Sequence, residues 1–140
     1  MKTYVLDASV AIAWYLPEAF SMDARRWQQR FLDGEIAFTV PALHYLEVGN
    51  VLRTYVRRGE LNESVAEELY GLHLEAPMGS ADAPPDCLLR TALDYGSTVY
   101  DAAYIALSLH EQIPLLTGER TTTPWVVKLG DQVTTLTLNA

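Results

Sequence analysis

Four acidic side chains lie in segments of the chain that are otherwise typical of buried apolar structure. An unpaired carboxylate is costly to bury, so four that converge in the folded chain would need a divalent cation as counter-charge. Oxygen-only ligands favour Mg²⁺ or Mn²⁺, and no histidine or cysteine lies near them in a pattern typical of zinc. A metal held by clustered carboxylates indicates phosphate chemistry. The four residues are Asp7, Glu47, Asp101 and Glu119.

Each of these acids, taken singly, also has a structural explanation. Asp7 and Asp101 could cap the helices that follow them, since an aspartate before a helix accepts hydrogen bonds from its free amides. Glu47 could pair with Arg53, and Glu119 could be an exposed turn residue. Four acids at the ends or on the buried faces of four separate elements favour a shared site over four unrelated explanations.

The elements that must position these acids alternate between strand and helix along the chain. No repeat, linker or low-complexity tract interrupts the alternation. The pattern predicts an α/β fold, a three-layer α/β/α sandwich with a mostly parallel sheet of about five strands. Strands are predicted near 4–6, 36–40, 76–78, 114–117 and 133–138, and helices near 8–16, 18–32, 41–58, 62–75, 84–95, 100–111 and 125–129.

Two of the acids lie just beyond predicted strands. In open parallel sheets, ligands bind at the carboxyl ends of strands, at the point where the strand order reverses, and Asp7 and Glu119 fit that location. Asp101 falls near the positive end of the dipole of a buried helix. Glu47 lies in mid-helix, on a polar stripe with Asn50 and Thr54 beside the main apolar stripe.

The helical periodicity also predicts which side chains face the core. The helix capped by Asn62 should bury Leu61, Val65, Leu69 and Leu72. The helix that begins at Pro84 should bury Leu88, Leu89, Ala92 and Leu93, and the helix over 100–111 should be buried almost all round. His44, His73 and His110 fall on different helices and fit packing or surface positions.

Composition bounds the class of protein. A chain of 140 residues with 49% apolar residues is large enough for a single hydrophobic core. The net charge of −8 disfavours loose electrostatic binding to nucleic acid, although the four acids account for half of it. The single Cys87 excludes an internal disulfide. With no apparent signal peptide or bilayer-spanning run, we expect a cytoplasmic protein that does not enter membranes.

Four segments of the chain match the pattern of a known family in their order and spacing. They are 5–9 (VLDAS), 46–52 (LEVGNVL), 99–107 (VYDAAYIAL) and 114–119 (PLLTGE), and the third is the most specific. Together they resemble the PIN-domain ribonucleases, particularly the VapC-type toxins of toxin–antitoxin pairs. The resemblance covers nearly the whole chain.

The resemblance implies a function and a set of site residues. It implies one PIN-like nuclease domain over 1–140, acting as a Mg²⁺-dependent endoribonuclease in which Mn²⁺ can substitute. RNA would be the substrate, a small antitoxin protein the inhibitor, and a homodimer the assembly. The apolar, tyrosine-rich helices around Tyr45, Tyr55 and Tyr70 could form the interface of that dimer. Asp7, Glu47 and Asp101 would coordinate metal, with Glu119 as a fourth acid where the family usually has aspartate. Ser9, Asn50 and Thr117 match its supporting polar positions.

Two other functions are open to the same residues. A PIN fold whose altered fourth acid has weakened catalysis could serve as an RNA- or protein-binding module. A phosphate-transfer domain of the receiver or haloacid-dehalogenase type is disfavoured, because residues 5–9 lack the second aspartate of an Asp-x-Asp nucleophile. Lys128 also lies in a predicted helix rather than on a late strand, where a receiver domain needs its lysine.

Overall fold

The computed structural model describes residues 1–140. Strands and helices alternate as the sequence predicts, and most bounds agree to within three residues, but the third strand lies at 79–80 rather than at the predicted 76–78. The strands are β1 (Lys2–Leu6), β2 (Ile36–Val40), β3 (Gly79–Ser80), β4 (Leu115–Thr117) and β5 (Val133–Thr135). The helices are α1 (Ala8–Tyr15), α2 (Ser21–Leu32), α3 (Leu43–Arg57), α4 (Glu63–Glu75), α5 (Leu88–Tyr95), α6 (Val99–Glu111) and α7 (Pro124–Leu129).

The five strands form one sheet in the order β3-β2-β1-β4-β5, and every pairing is parallel. The chain moves outward from β1 through β2 to β3, then crosses back to β4 and β5. Because crossovers between parallel strands are right-handed, the two directions place α1–α4 on one face and α5–α7 on the other. The predicted α/β/α sandwich is confirmed, with a sheet that is entirely parallel.

The core lies on both sides of β1 and β4, whose apolar side chains are buried. An aromatic group fills the first face, where Trp14 packs against both Phe31 and Phe38. On the second face the buried α6 lies against β1, and most of its residues between 102 and 108 have no contact with water. A sheet covered on both faces explains why these strands are apolar throughout.

The predicted inward faces of α4 and α5 are partly wrong. In α4, Val65 and Leu72 are exposed, and Ala66 and His73 are buried in their place. In α5 only Ala92 is buried, and two predicted core leucines, Leu89 and Leu93, are among the exposed apolar residues. Alanines let these helices approach the core closely, which leaves the larger side chains beside them in solvent. None of the helices has the length and apolar character needed to cross a bilayer.

Candidate metal centre

The site lies where the strand order of the sheet reverses. β1 stands between β2 and β4, and Asp7 follows β1 while Thr117 ends β4. The Asp7 amide donates to the Leu116 carbonyl at 3.0 Å, which continues the strand pairing as far as the acid. The parallel sheet therefore brings residues that are 110 positions apart into contact. This is the location that the sequence predicts for Asp7.

Two hydroxyl groups hold the Asp7 carboxylate. Ser9 Oγ and Thr117 Oγ1 both donate to Asp7 Oδ2, at 2.9 and 2.7 Å. Each hydroxyl also accepts an amide proton from the loop after β4, Ser9 from Gly118 at 2.9 Å and Thr117 from Glu119 at 3.1 Å. Asp7 occupies the N-cap position of α1, but its side chain accepts no capping hydrogen bond. The capping explanation of Asp7 is wrong, and Oδ1 is free for another partner.

Gly118 allows the loop after β4 to approach this network. A Cβ atom at that position would lie 2.5 Å from Cζ of the Phe20 ring, far inside van der Waals contact. Phe20 belongs to the connection between α1 and α2 and is half-buried. The absence of a side chain is thus what permits the Gly118 amide to reach Ser9.

Asp101 lies in the first turn of α6 and is half-buried. Thr98 is the N-cap of this helix, and its Oγ1 accepts the Asp101 amide proton at 3.0 Å. The capping explanation of Asp101 is wrong too, because Thr98 caps the helix and the Asp101 carboxylate is left free. Burial raises the pKa of Asp101, and the charge of Glu119 raises it further.

Glu47 projects from the middle of α3 and is half-buried. Its Oε1 is the only buried side-chain oxygen or nitrogen in the structure without a hydrogen-bond partner. No ion pair with Arg53 forms. Burial raises the pKa of Glu47 to about 7, a hydrogen bond from Tyr104 opposes the shift, and the charges of Asp7 and Asp101 add to it. An orphaned acceptor of this kind calls for a ligand outside the protein chain.

Glu119 lies at the rim of the site. The residue is exposed, and its Oε2 accepts a hydrogen bond from Thr123 Oγ1 at 3.0 Å. Its charge nevertheless raises the pKa of both Asp7 and Asp101. The longer side chain is therefore turned toward the start of α7, within electrostatic range of the other acids.

Electrostatic coupling links the four acids. Burial raises the pKa of Asp7 to about 6, against the lowering effect of its two hydroxyl partners, and the charges of Asp101 and Glu119 raise it further. Glu47 is coupled to Asp7 and Asp101 in the same way. None of the three salt bridges of the molecule involves any of the four acids. Their negative charge has no counter-charge within the chain.

The residues present fit a divalent cation. The donors are all carboxylate oxygens, one of them orphaned and one left free by the hydroxyls, which suits Mg²⁺ or Mn²⁺. No three His, Cys, Asp or Glu side chains anywhere in the chain stand close enough to form a ready-made ion cage. Mg²⁺ does not require one, because it keeps several waters and uses one or two direct carboxylate ligands.

One predicted supporting residue is not brought into this network. The Asn50 side chain makes no hydrogen bond to any of the acids, and the residue lines an apolar groove between α3 and α4. Ser9 and Thr117, by contrast, contact Asp7 directly. Asn50 lies about one helical turn after Glu47 on α3, and this separation places it beside the site rather than among the acids.

One residue at the site and the side chains behind it were not predicted from the sequence. The hydroxyl of Tyr104 lies beside Glu47, and His44 and His73 form a buried pair next to it. Tyr104 comes three residues after Asp101 on a helix, so the two share a face, and that spacing was the available signal. The His44–His73 contact joins two helices and had no signal in the spacing of the sequence.

Comparisons with known proteins identify the family and the fold. A family model described as PIN domain matches residues 4–121. Ribonuclease VapC3 of Pyrobaculum aerophilum is 36% identical over 120 residues, covering 83% of this chain and 88% of that protein. A crystal structure of a Pyrobaculum aerophilum protein aligns with a TM-score of 0.73 at 23% identity, over 94% of this chain and 83% of that one. A toxin–antitoxin complex from Klebsiella pneumoniae aligns with a TM-score of 0.61 at 13% identity, over 94% and 96%. At these identities the two solved structures show a shared fold.

The raised pKa of Asp7 predicts that this carboxylate destabilises the metal-free protein at neutral pH. Between its unfolded value of 3.8 and its folded value of about 6, the folded protein holds a proton that the unfolded chain releases, so stability falls as pH rises through that window. Asp7→Asn should therefore raise the free energy of unfolding above pH 6 by up to about 3 kcal/mol, with no gain below pH 4. Urea denaturation in EDTA at a series of pH values measures this.

The matched control for that measurement is Asp86→Asn, because Asp86 is exposed and makes no ion pair. Its stability should follow that of the unmodified chain at every pH. An Asp7→Asn variant that is less stable than the unmodified chain at pH 8 in EDTA would contradict the electrostatic account of the site.

Proposed function

The chain belongs to the PIN-domain family, and from this we propose that it is a divalent-metal-dependent endoribonuclease, the toxin of a toxin–antitoxin pair. The observation that carries the proposal is the set of four unpaired acids at the strand-order switch, with Glu47 Oε1 buried and unpartnered. A relative 36% identical to this chain is a ribonuclease by name, which supports RNA as the substrate. We propose that residues 1–140 act as a single nuclease domain.

Asp7, Glu47 and Asp101 would hold the principal ion, directly or through its bound waters, and we take this ion to be Mg²⁺ with Mn²⁺ able to replace it. Asp7 would contribute the oxygen that its hydroxyl partners leave free, and Glu47 its unpartnered Oε1. When bound, such an ion lowers the pKa of a water and offsets negative charge on a phosphodiester. A hydrolysis of RNA needs both effects.

The remaining site residues orient these ligands and the substrate. Ser9 and Thr117 fix the Asp7 carboxylate and join it to the loop that carries Glu119. Glu119 would receive a water or a second ion at the rim, where its hydrogen bond from Thr123 already holds it. Asn50 would support the site from α3. A cavity of about 360 Å³ beside the acids, lined in part by Ser9, Phe20, Glu119 and Arg120, offers room for a nucleotide of the substrate.

We predict that the purified, antitoxin-free protein cleaves RNA with Mg²⁺ or Mn²⁺ and that EDTA abolishes the cleavage. Asp7→Asn and Asp101→Asn should each lower the cleavage rate at least about 100-fold, because each removes a ligand charge that stabilises the transition state. Glu119→Gln should lower it less, because Glu119 lies at the rim. A fluorogenic RNA assay at saturating metal measures all three.

The control for the cleavage assay is again Asp86→Asn, which should match the unmodified chain. If the unmodified protein cuts no RNA with either ion, the enzymatic function is wrong. The second candidate, a PIN-fold module that binds RNA or protein without cleaving it, would then take its place. That candidate is favoured by the glutamate at position 119, which is turned toward Thr123.

We also propose that a small antitoxin silences the protein by placing an arginine or lysine among the four acids. The acids have no cation partner in the chain, so a basic side chain would relieve their repulsion as a metal does. Beside Glu47, an apolar groove of about 630 Å³ runs between α3 and α4 and includes Leu46 and Leu52 in its lining. A short amphipathic helix of the antitoxin would fit a groove of this kind.

This mode of inhibition predicts that metal and antitoxin compete. Asp101→Asn should weaken the binding of the antitoxin encoded beside this gene about tenfold or more. The variant removes a negative charge, so the arginine or lysine of the antitoxin would be buried without that partner. Asp86→Asn should leave the affinity unchanged. Isothermal titration with and without Mg²⁺ measures both effects. An antitoxin stripped of its basic residues that inhibits equally well would refute the mode.

We further propose a homodimer formed by α5, the start of α6 and α7, which pack on one another. This face exposes large apolar side chains, among them Leu89 (63% exposed), Tyr100 (64%) and Val127 (64%), and isolated monomers rarely leave so many in one region. The helices around Tyr45 and Tyr70 fit an interface less well, because both tyrosines are half-buried and Tyr70 donates a hydrogen bond to the Tyr45 carbonyl. A reducing cytoplasm would keep the free Cys87 beside this face as a thiol.

We predict that Leu89→Glu converts the dimer to a monomer, because a charge would be buried without a partner at the interface. Leu32→Glu is the matched control, since Leu32 is equally exposed (63%) but lies on α2, away from this face. Sedimentation equilibrium measures the mass of each. A monomeric unmodified protein, or a Leu32→Glu variant that dissociates as Leu89→Glu does, would contradict the proposed interface.

A further inference from the structure

A row of four buried or half-buried polar side chains runs through the core behind the acidic site. Tyr15 Oη lies 2.8 Å from His73 Nδ1, and His73 Nε2 lies 2.8 Å from His44 Nε2. His44 Nδ1 lies 3.3 Å from Tyr104 Oη, and the Tyr104 hydroxyl lies beside Glu47. Both histidines are completely buried. The row thus runs by hydrogen-bonding contacts from the half-buried Tyr15 to a hydroxyl that lies beside a residue of the proposed metal centre.

The two imidazole rings of this row are neutral. Burial lowers the pKa of His44 to about 3 and that of His73 to about 4, and the proximity of each to the other disfavours a charge on His44 further. A neutral imidazole has one N–H donor and one nitrogen acceptor. Because the two Nε2 atoms face each other, only one of them can bear the proton. The row can therefore point all its protons toward Glu47 or all of them toward Tyr15.

The carboxylate end of the row selects between these directions. A Glu47 side chain that holds a metal ion is a carboxylate and only accepts hydrogen bonds, so the Tyr104 hydroxyl must donate to it and must accept from His44 Nδ1. His44 Nε2 then accepts from His73 Nε2, and His73 Nδ1 accepts from Tyr15.

We propose that Tyr104 is a positioning residue for Glu47, and that His44 and His73 fix the direction in which its hydroxyl points. The hydroxyl would hold the carboxylate in one orientation, with Oε1 free for the ion. This inference rests on the proposed function, because it assigns Glu47 the role of metal ligand. Groups that orient a ligand in this way raise metal affinity without touching the ion.

The direction of the row can be measured directly by the nitrogen chemical shifts of the histidine rings in ¹⁵N-labelled, antitoxin-free protein at pH 7 with saturating Mg²⁺. We expect His44 protonated on Nδ1 and His73 protonated on Nε2, each as a single tautomer, while the exposed His110 provides a solvent-averaged reference. The opposite tautomers, His44 on Nε2 and His73 on Nδ1, would overturn the inference. A mixture of both, or a doubly protonated ring, would overturn it as well.

The effect on the site is measured with two matched tyrosine variants. Tyr104→Phe should raise the Kd for Mn²⁺ about tenfold or more in isothermal titration, whereas Tyr15→Phe, which removes a hydroxyl from the other end of the row, should change it less than about twofold. The thermal midpoint of each variant reports any loss of stability. Equal effects of the two variants on Kd would make the role merely structural and would refute the positioning.

These readouts separate the inference from the proposed function. The expected tautomers and Kd shifts in a protein that cleaves no RNA would support the positioning of Glu47 and overturn the nuclease function alone. Cleavage of RNA by a protein with the reversed tautomers would overturn the positioning alone. Should Tyr104→Phe fail to fold, the tautomers of the unmodified chain still decide the direction of the row.

Discussion

The burial of like charges at one edge of the sheet is the constraint on which this structure depends. Asp7 is buried although Asp101 and Glu119 repel it, and the chain supplies no cation to offset the cost. The parallel pairing of β1 with β4 keeps the carboxylate there, because it sets Thr117 beside Asp7. A shift of one residue in that register would turn the hydroxyl to the opposite face of the sheet.

Hydrogen bonds offset part of the electrostatic cost and fix the geometry of the site. Two hydroxyls converge on one oxygen of Asp7, so the other oxygen keeps a defined direction. The same hydroxyls accept the amides of Gly118 and Glu119, and a side chain at position 118 would collide with Phe20. The loop after β4 and the start of α1 therefore form one unit. Such a preorganised metal site lowers the stability of the metal-free protein.

The sequence predicted those parts of the molecule that local patterns determine. Short apolar runs located four of the five strands, and Asp7 could be placed at the switch point because its strand and the rule for parallel sheets are both local information. The direction of the Glu119 side chain could not be predicted, since Thr123 competes for it only in the folded loop. The pairing of His44 with His73 depends on how α3 packs against α4. The exposure of the leucines of α5 depends on how closely Ala92 approaches the core. Neither kind of packing is local information.

The order of the elements has a consequence for synthesis on the ribosome. The chain completes β1, β2 and β3 before it supplies Asp101, and Glu119 comes later still, with β4. A nascent or prematurely terminated polypeptide that stops short of residue 100 has only half of the acids and lacks the neighbouring strand that holds Asp7 in place. A cell making this protein is thus exposed to the assembled centre only after translation of the last third of the message.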